Sequence, residues 1–483
     1  MNLQADIISV LPELFLSVGL MLLLIYGVFK GNDYAQIVHK GAIGVLLLTL
    51  AVLLGFNPAS ETSYFFHDMF VVDSYSLFFK TLILIGSISV LAISFPYLKL
   101  NSMAQFEYPV LIMLATLGMF VMVSSSSMLT LYMGIELMSL SLYILAAFRR
   151  NNALSSEAGI KYFVLGALSS GLLLFGISLI YGYTGSLTYT GIETALAGGA
   201  ISQGFIVGMV FVLAALAFKI TAAPFHVWAP DVYEGAPTSV TAFFASVPKI
   251  AAFALLLRLL FGPFEVVISD WGQVIYFVSL LSMLVGAFAA LVQSNIKRLL
   301  AFSSVGHVGY ALVALTSGLA IGLTATVAYL VIYLVMTLGT FALILSLNAG
   351  DKMIETIDDL AGLSKSSPVI SYLIAVMMFS MAGIPPMAGF FAKLYVFQAA
   401  IEGGAYILAV IGVLSSVVAA YYYLRIIKVI FFDEGDIVLK REKSFGHSIV
   451  LTLSTAFVLF YIISPGFLLD IVSGSVAPLL ING

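Results

Sequence analysis

Long apolar runs separated by short polar breaks recur along the whole chain. A helix rises about 1.5 Å per residue, so a run of about 18 residues can cross a hydrocarbon core roughly 30 Å thick. A helix also satisfies its own backbone hydrogen-bonding groups inside lipid. The pattern therefore predicts an all-α polytopic membrane protein, one transmembrane domain over residues 1–483. To within a few residues, about fourteen helices are expected near 8–29, 39–56, 74–95, 108–123, 127–148, 160–183, 204–233, 238–261, 272–292, 298–316, 322–348, 368–402, 406–430 and 447–470.

Prolines interrupt two of the long apolar segments, one at Pro224 and the other at Pro385 and Pro386. Proline has no amide hydrogen and its ring clashes with the preceding turn, so each segment should be broken. Each broken helix is the fourth in a block of five, at 108–261 and 272–430. Because five is odd, the blocks enter the membrane from opposite sides, which predicts inverted repeats of the kind that transporters use. Ordinary proline kinks are the alternative.

The remaining helices, three within 1–107 and one at 447–470, are predicted to be packing elements. The first does not read as a cleaved secretory signal, which would begin with basic residues. Instead, Asp6 and Glu13 precede its apolar stretch and Lys30 follows it. We therefore expect this segment to be retained as a helix.

Composition agrees with a membrane protein and excludes several kinds of chemistry. Charged residues make up 9% of the chain, whereas about 25% of an ordinary soluble domain is charged. The chain has no cysteine, which excludes iron–sulfur ligation by thiolates, disulfides and c-type haem attachment. Its five histidines show no metal-site spacing, and the chain has no dinucleotide fingerprint or phosphate-binding loop. We expect no cofactor or metal in this chain, and any linked redox chemistry in a partner.

The distribution of charge predicts an orientation in the membrane. Basic residues collect in the loops on one side if the N-terminus faces outside, as the positive-inside rule requires of inner loops. Those inner loops hold Lys30, Lys40, Lys99, Arg149, Arg150, Lys161, Lys297, Arg298, Lys352, Lys365, Arg425, Lys428, Lys440, Arg441 and Lys443. The outer loops hold Glu61, Asp68, Glu193, Glu265, Asp270, Glu402 and Asp470. With an even number of helices, both termini are expected on the outer side.

Four charged residues fall near the middle of predicted helices: Glu136, Lys219, Lys249 and Lys393. An ionisable group at a helix centre costs about 2.5–3.5 kcal/mol even on lenient insertion scales. The cost falls if the groups face the bundle interior and contact each other or water. We therefore predict a polar seam that runs laterally through the protein. Burial disfavours the charged form of a lysine, and a nearby carboxylate favours it. Small changes in the distance between Glu136 and Lys219, or in their hydration, could therefore load or release a proton.

Each of these residues also has a structural interpretation. Glu136 and Lys219 could form a static ion pair, and Lys249 and Lys393 could serve only in packing. His307, within the tenth predicted helix, could relay protons or be a hydrogen-bonded packing residue. His226, just after the first break, could line an entry path or cap freed backbone groups.

Other polar residues are assigned to the edges of the membrane. Lys80, inside the third helix, is expected to extend its amine toward the outer face. Lys161 follows Glu157 by four residues, which predicts a surface salt bridge. Asp231 and Glu234, after the first break, could line a proton entrance from the inside or cap the short helix that follows.

The residues around these charges resemble those of a known family, subunit N of bacterial NADH-quinone oxidoreductase, respiratory complex I. The resemblance covers the chain end to end, and WAPDVYEGAP is its most discriminating part, since the related subunits M and L differ there. The matching stretches are GIELMSLSLYIL (Gly134–Leu145), FKITAAPFHVWAPDVYEGAP (Phe218–Pro237), NIKRLLAFSSVGHVGY (Asn295–Tyr310) and AGIPPMAGFFAKLYVF (Ala382–Phe397).

This resemblance implies an antiporter-like proton-translocating subunit without a redox cofactor. It implies that Glu136 and Lys219 form a modulating pair, that Lys249 is the central relay and that Lys393, a glutamate in subunit M, is the outlet. FMN, iron–sulfur clusters and quinone would lie in partner subunits. The implied partners are other membrane subunits of complex I, including the M-type subunit and the small K-type and J-type subunits, together with lipid but no nucleic acid.

The implied location is a bacterial inner membrane. Two other functions stay open on the sequence alone. The chain could be a subunit of a cation/proton antiporter built on the same helical unit, or a structural membrane anchor, which the mid-membrane lysines disfavour.

Overall fold

Helices in the structure follow the predicted apolar runs, with short connections between them. The computed structural model describes residues 3–56, 62–198, 201–318, 320–349, 352–435, 439 and 444–480. Four residues that entered the topology prediction lie outside these described residues: Glu61, Lys440, Arg441 and Lys443.

Helices and two small antiparallel hairpins make up the described chain. Residues up to 106 form α1 (Leu3–Ser9), α2 (Leu11–Lys30), α3 (Ala35–Phe56), β1 (Ser63–Phe65), β2 (Phe70–Val72) and α4 (Ser74–Leu100). The next part contains α5 (Glu107–Val123), α6 (Met128–Ala146), α7 (Ala153–Thr184), α8 (Tyr189–Ala197), α9 (Gln203–Lys219), α10 (Trp228–Gly235), α11 (Thr238–Ala245) and α12 (Val247–Leu260).

The second half continues in the same way. It contains α13 (Ile268–Leu291), α14 (Ile296–Leu315), α15 (Ala320–Ser346), β3 (Asn348–Ala349), β4 (Lys352–Met353), α16 (Leu363–Ser366), α17 (Pro368–Ala382), α18 (Ala388–Glu402), α19 (Tyr406–Phe432), α20 (Phe445–Phe460) and α21 (Pro465–Val476). Short 3₁₀ turns occupy Asn32–Tyr34, Glu265–Val267, Asp358–Leu360, Tyr461–Ile463 and Ala477–Leu479.

Among the described residues, eleven helical segments are long and apolar enough to cross a membrane, and four shorter apolar helices accompany them. The all-α membrane fold is therefore confirmed. The total of fourteen spans and the inverted-repeat relation between the two blocks stay predictions.

Helix starts coincide with side chains that accept hydrogen bonds from the first turn. The Asp73 carboxylate accepts from the Ser76 amide at 2.7 Å and begins α4. Such caps satisfy amide hydrogens that have no partner within the helix. Side chains of the same kind begin α6, α7, α8, α9 and α14: Ser127, Asn152, Thr188, Ser202 and Asn295.

The first proline break occurs where it was predicted. Helix α9 ends at Lys219, and α10 begins only at Trp228. The Ala222 amide donates to the Ala217 carbonyl at 2.8 Å and the Thr221 amide donates to the Phe218 carbonyl at 3.1 Å. This is the Schellman arrangement, whose left-handed position usually holds glycine. Here it holds Thr221, with φ of 64°, an unusual conformation for a β-branched residue.

The second break ends its first half-helix in the same way. Helix α17 ends at Ala382, and the Ile384 amide donates to the Phe379 carbonyl at 3.0 Å. Gly383 takes the left-handed position with φ of 84°, and its amide donates to the Ser380 carbonyl at 3.0 Å. Both breaks therefore expose the C-terminal carbonyls of a half-helix, which carry partial negative charge.

Two further interruptions were not predicted. The expected helix 238–261 is divided at Ser246, two residues before Pro248, into α11 and α12. The expected helix 447–470 is likewise divided, since α20 ends at Phe460 and α21 begins at Pro465. Proline is tolerated in the first turn of a helix but not in the interior, so each helix restarts with a proline in its first turn.

The interior of the bundle is formed by α11, α12, α14 and α15, most of whose residues are buried. Helices α2, α7, α19 and α20 instead expose many large apolar side chains. Such surface suits contact with lipid or with neighbouring membrane helices. Lys249 on α12 and His307 on α14 therefore lie at the centre of the protein.

The expectation for Lys80 is wrong. Its side chain is fully buried, and its Nζ lies 2.6 Å from Glu13 Oε1 on α2. The rings of Phe70 and Phe120 lie 5.0 Å and 5.7 Å from the same amine. Because a carboxylate on another helix balances its charge, Lys80 needs no contact with water at the membrane edge.

Candidate functional site

Lys219 and Glu136 lie on neighbouring helices without a direct ion pair. Lys219 Nζ donates to the Ser139 hydroxyl at 2.8 Å, and Ser139 lies one turn after Glu136 on α6. The Ser170 hydroxyl of α7 donates to the Glu136 carboxylate. Within the described part of the chain, no carboxylate lies within 4.0 Å of the Lys219 amine. The static pair considered from the sequence is thus not formed, and the Ser139 hydroxyl lies beside the amine instead.

Lys249 is held at the centre by two hydroxyls. Its Nζ donates to Thr221 Oγ1 at 2.6 Å and to Ser304 Oγ at 2.7 Å, and it lies 5.8 Å from the centre of the Tyr233 ring. Thr221 belongs to the first break, two residues after Lys219. The break therefore contains both Lys219 and Thr221, a hydrogen-bond partner of Lys249.

His307 continues the row of polar groups on α14, one turn after Ser304. Its Nδ1 is hydrogen-bonded to Tyr329 Oη at 2.6 Å, and its Nε2 to Tyr423 Oη at 3.1 Å. Tyr423 Oη is in turn hydrogen-bonded to Ser303 Oγ at 2.5 Å. Both ring nitrogens are occupied, so the arrangement suits a relay as well as a packing role.

Lys393 lies at the second break. Its Nζ donates to the Ala382 carbonyl at 2.8 Å, the Met381 carbonyl at 3.2 Å and the Ser416 hydroxyl at 2.7 Å. The ammonium group therefore caps the C-terminal end of α17, where a positive charge is favourable. Its amine also lies 5.0 Å from the centre of the Tyr310 ring, and Tyr310 follows His307 by one turn on α14.

Lys393 also lines an opening to the surface. A cleft of about 790 Å³ is bounded by α17, α18 and α19 and contains Lys393, Ser416 and Glu402. At the other end of the row, Glu136 is only partly buried on α6. The row thus reaches the surface of the chain near both ends.

Pairs of neighbouring residues connect the members of this row. Ser303 and Ser304 contact Tyr423 and Lys249, respectively. Ser415 and Ser416 likewise contact Tyr310, at 3.3 Å, and Lys393. The structure therefore brings five predicted site residues into one series of hydrogen-bonded groups and chain neighbours, which we call the lateral series after the predicted seam: Glu136, Lys219, Lys249, His307 and Lys393.

His226 is not part of this series. It lies in the first break, its ring centre is 6.2 Å from that of Phe302, and its buried Nδ1 has no hydrogen-bond partner among the described residues. The entry path proposed for it from sequence stays a prediction.

Asp231 and Glu234 lie in a cluster of charges that joins three helices. Asp231 pairs with Lys161 at 2.7 Å and with Arg298 at 2.6 Å, and Arg298 also pairs with Glu234 at 3.0 Å. The predicted pair between Lys161 and Glu157 is confirmed, at 2.6 Å. These contacts tie α10 to α7 and α14 at the end of the first break.

Sequence reasoning missed the hydroxyl groups that connect the charged residues. The only signal was a polar residue within an apolar helix, and it is weak, because serine and threonine often bond to their own helix instead. The missed members are Ser139, Ser170, Thr221, Ser303, Ser304, Tyr329, Tyr423, Ser415 and Ser416.

A buried ion pair outside the row was also missed. Arg258 donates to both carboxylate oxygens of Asp73 at 2.8 and 3.0 Å, and it lies over the Tyr75 ring. This bidentate contact joins α12 to the start of α4.

Comparison with known proteins places the whole chain in one family. Residues 125–419 match the family model described as NADH:quinone oxidoreductase/Mrp antiporter, TM. The chain is 49% identical over 465 residues to NADH-quinone oxidoreductase subunit N of Paramagnetospirillum magneticum, with 95% of each chain covered. The chain belongs to the NADH-quinone oxidoreductase subunit N family.

Solved structures agree with membership in the subunit N family. A chain of respiratory complex I from Thermus thermophilus with bound aureothin is 32% identical, with a TM-score of 0.81, and the match covers 96% of this chain and 99% of that one. A chain of the Mrp complex from Dietzia sp. DQ12-45-1b is 23% identical with a TM-score of 0.86, covering 99% and 98%. The second likeness shows a shared fold.

Proposed function

We propose that this chain is a proton-translocating, antiporter-like membrane subunit of NADH:quinone oxidoreductase, complex I. In this proposal protons move along the lateral series from Glu136 through Lys219, Lys249 and His307 to Lys393. Membership in the subunit N family supports the coarse function, and the series of ionisable and hydroxyl groups supports the route.

The observation that carries the route is the position of Lys249 between Thr221 and Ser304. A hydroxyl both donates and accepts hydrogen bonds, so it can pass a proton between a lysine and the next group. Each lysine of the series has at least one hydroxyl partner. Water entering the breaks would complete the remaining gaps.

The ends of the two half-helices give a physical basis for control of proton transfer. The C-terminal carbonyls of α17 carry partial negative charge, and two of them accept hydrogen bonds from Lys393, while Lys219 is the last residue of α9. A small movement at either break would change these positions and the distance from each lysine to the next hydroxyl. Protonation of one lysine would then alter the preferred charge of the next.

The energy for transport must come from outside this chain. Each proton moved against about 100 mV costs about 2.3 kcal/mol, and the sequence has no cysteine or nucleotide-binding motif to supply it. We assign FMN, iron–sulfur clusters and quinone reduction to partner subunits.

The proposed location is a bacterial inner membrane with both termini on the outer side. The ends of the series at Glu136 and at the Lys393 cleft are where K-type, J-type and M-type membrane subunits would dock. Surrounding lipid would cover the remaining apolar faces.

The test is substitution of Lys219 by alanine in the intact complex. Proton pumping coupled to NADH oxidation should fall about tenfold or more, since a positioned proton carrier is removed, while the complex still assembles. Lys99→Ala, at the exposed end of α4, is the control and should leave pumping unchanged. Normal pumping by an assembled Lys219→Ala complex would contradict the route.

A second candidate is a subunit of a cation/proton antiporter, because the family model also describes Mrp antiporters and the Mrp chain shares the fold. Purification separates the two functions. Complex I membership requires co-purification with flavin and iron–sulfur subunits. Sodium-dependent transport without those subunits would favour the antiporter.

A further inference from the structure

A groove of about 1090 Å³ lies outside the lateral series, among α3, α4, α15 and α20. Helices α3 and α20 both pack against α4 and form its two sides. Its volume lies slightly above the roughly 300–1,000 Å³ range typical of ligand clefts. The lining is mostly apolar, and its polar residues are Gln36, His39, Lys40, Ser89, Ser444 and Ser454.

The groove has the depth of one lipid leaflet. On α3 it extends from Gln36 to Leu50, and on α4 from Pro96 back to Ile85. Fourteen residues of helix measure about 21 Å, which is about half of a bilayer roughly 40–45 Å thick with its headgroup regions included. A transmembrane helix of a partner would need a groove along the full thickness. The dimensions instead fit acyl chains of a single leaflet.

One end of the groove is polar and basic. Gln36 and Lys40 near the start of α3 lie at the same end as Ser444, which precedes α20. Lys40 is exposed and forms no ion pair with any described residue. In the sequence, Lys-Arg-Glu-Lys at 440–443 comes directly before Ser444.

His39 contributes to the wall rather than to this basic end. Its Nε2 is hydrogen-bonded to the Leu91 carbonyl at 2.8 Å, and the side chain is buried. Lys40 is therefore the free cation at the polar end of the groove within the described residues.

We infer that this groove binds one anionic phospholipid. The phosphate would contact Lys40, and the acyl chains would lie along α4 as far as Ile85. Unpaired basic residues near a membrane surface attract anionic lipids by about 1 kcal/mol each, and the apolar walls accommodate hydrocarbon. Under the predicted topology this lipid comes from the inner leaflet.

The experiment uses the intact complex in vesicles that contain either photoactivatable phosphatidylglycerol or the matching phosphatidylcholine. Cross-linked peptides are then mapped by mass spectrometry. Phosphatidylglycerol should label α3, α4 and α20 at the groove. Lys40→Gln should reduce this labelling about fivefold, the factor that corresponds to about 1 kcal/mol.

Two further variants distinguish binding of the acyl chains in the groove from a general effect of surface charge. Ser89→Phe places a ring in the groove and should reduce labelling by both lipids. Lys99→Gln removes an exposed charge that does not line the groove and should have no effect. Equal labelling by the two lipids, or labelling insensitive to Lys40→Gln, would overturn the anionic site. Cross-links from the groove to a partner's helix in place of lipid would overturn the choice of occupant.

Discussion

Lys249 donates a hydrogen bond of 2.6 Å to Thr221, a residue held in the left-handed region at the end of a broken helix. A β-branched residue rarely adopts this conformation, and such residues often serve a function. The contact couples the shape of the first break to the central lysine. It therefore suggests where movement of the backbone would change proton transfer.

Thr221→Val keeps the shape of the side chain and its branching but removes the hydroxyl. A hydrogen bond to a charged group is worth about 1.5–3 kcal/mol, so proton pumping should fall by about tenfold or more. Thr221→Ser retains the hydroxyl and should pump close to the wild-type rate. Proton uptake by inverted vesicles, measured by quenching of a pH-sensitive dye, gives the rates. Equal pumping by the valine and serine variants would remove Thr221 from the route.

Ser139→Ala tests the connection between Lys219 and α6. Ser139 accepts the hydrogen bond from Lys219, whereas Ser141, among the described residues, donates to the Leu137 carbonyl of its own helix. We expect Ser139→Ala to slow NADH-driven pumping and Ser141→Ala to leave it unchanged. Assembly of each variant is checked on native gels. A similar loss in both variants would indicate a general effect on helix α6.

Gly383→Ala tests the position of the Lys393 amine. An added Cβ would lie 2.8 Å from Lys393 Cδ, so the lysine would be pushed from the α17 carbonyls. The left-handed conformation itself costs alanine about 1–2 kcal/mol. Gly404→Ala is the matched control, because Gly404 has φ of 80° and open space around its Cβ. Pumping should fall only in Gly383→Ala.

If Gly404→Ala lowers pumping as much as Gly383→Ala, backbone strain alone explains the loss. Thermal unfolding of both purified complexes measures that strain. Similar melting temperatures with different pumping rates would support displacement of Lys393.

Lys80→Ala tests the buried pair with Glu13. Removing one partner leaves an unpaired buried charge, which typically costs about 3–5 kcal/mol. We expect a lower melting temperature and less assembled complex. The double variant Lys80→Met with Glu13→Gln removes both charges and should recover much of the stability. Equal stability of Lys80→Ala and the wild type would show that the pair contributes little.

The pattern of charges along the chain is sufficient to locate most of the series. Glu136, Lys219, Lys249 and Lys393 stand out because an ionised group is costly in the middle of an apolar helix. The partner of Lys80 does not stand out, since Glu13 lies near a predicted helix end where acidic residues are common. The serines and tyrosines of the series are equally inconspicuous.

The sequence by itself determined the membrane class, most helix positions, the two proline breaks and the charged members of the series. These follow from local properties: helix length against membrane thickness, the missing amide of proline and the cost of burying charge. Only the tertiary structure decided that Lys219 contacts Ser139 rather than Glu136, that Thr221 and Ser304 hold Lys249, and that Lys80 pairs with Glu13. These contacts join residues far apart in the chain, and their geometry depends on how the helices pack.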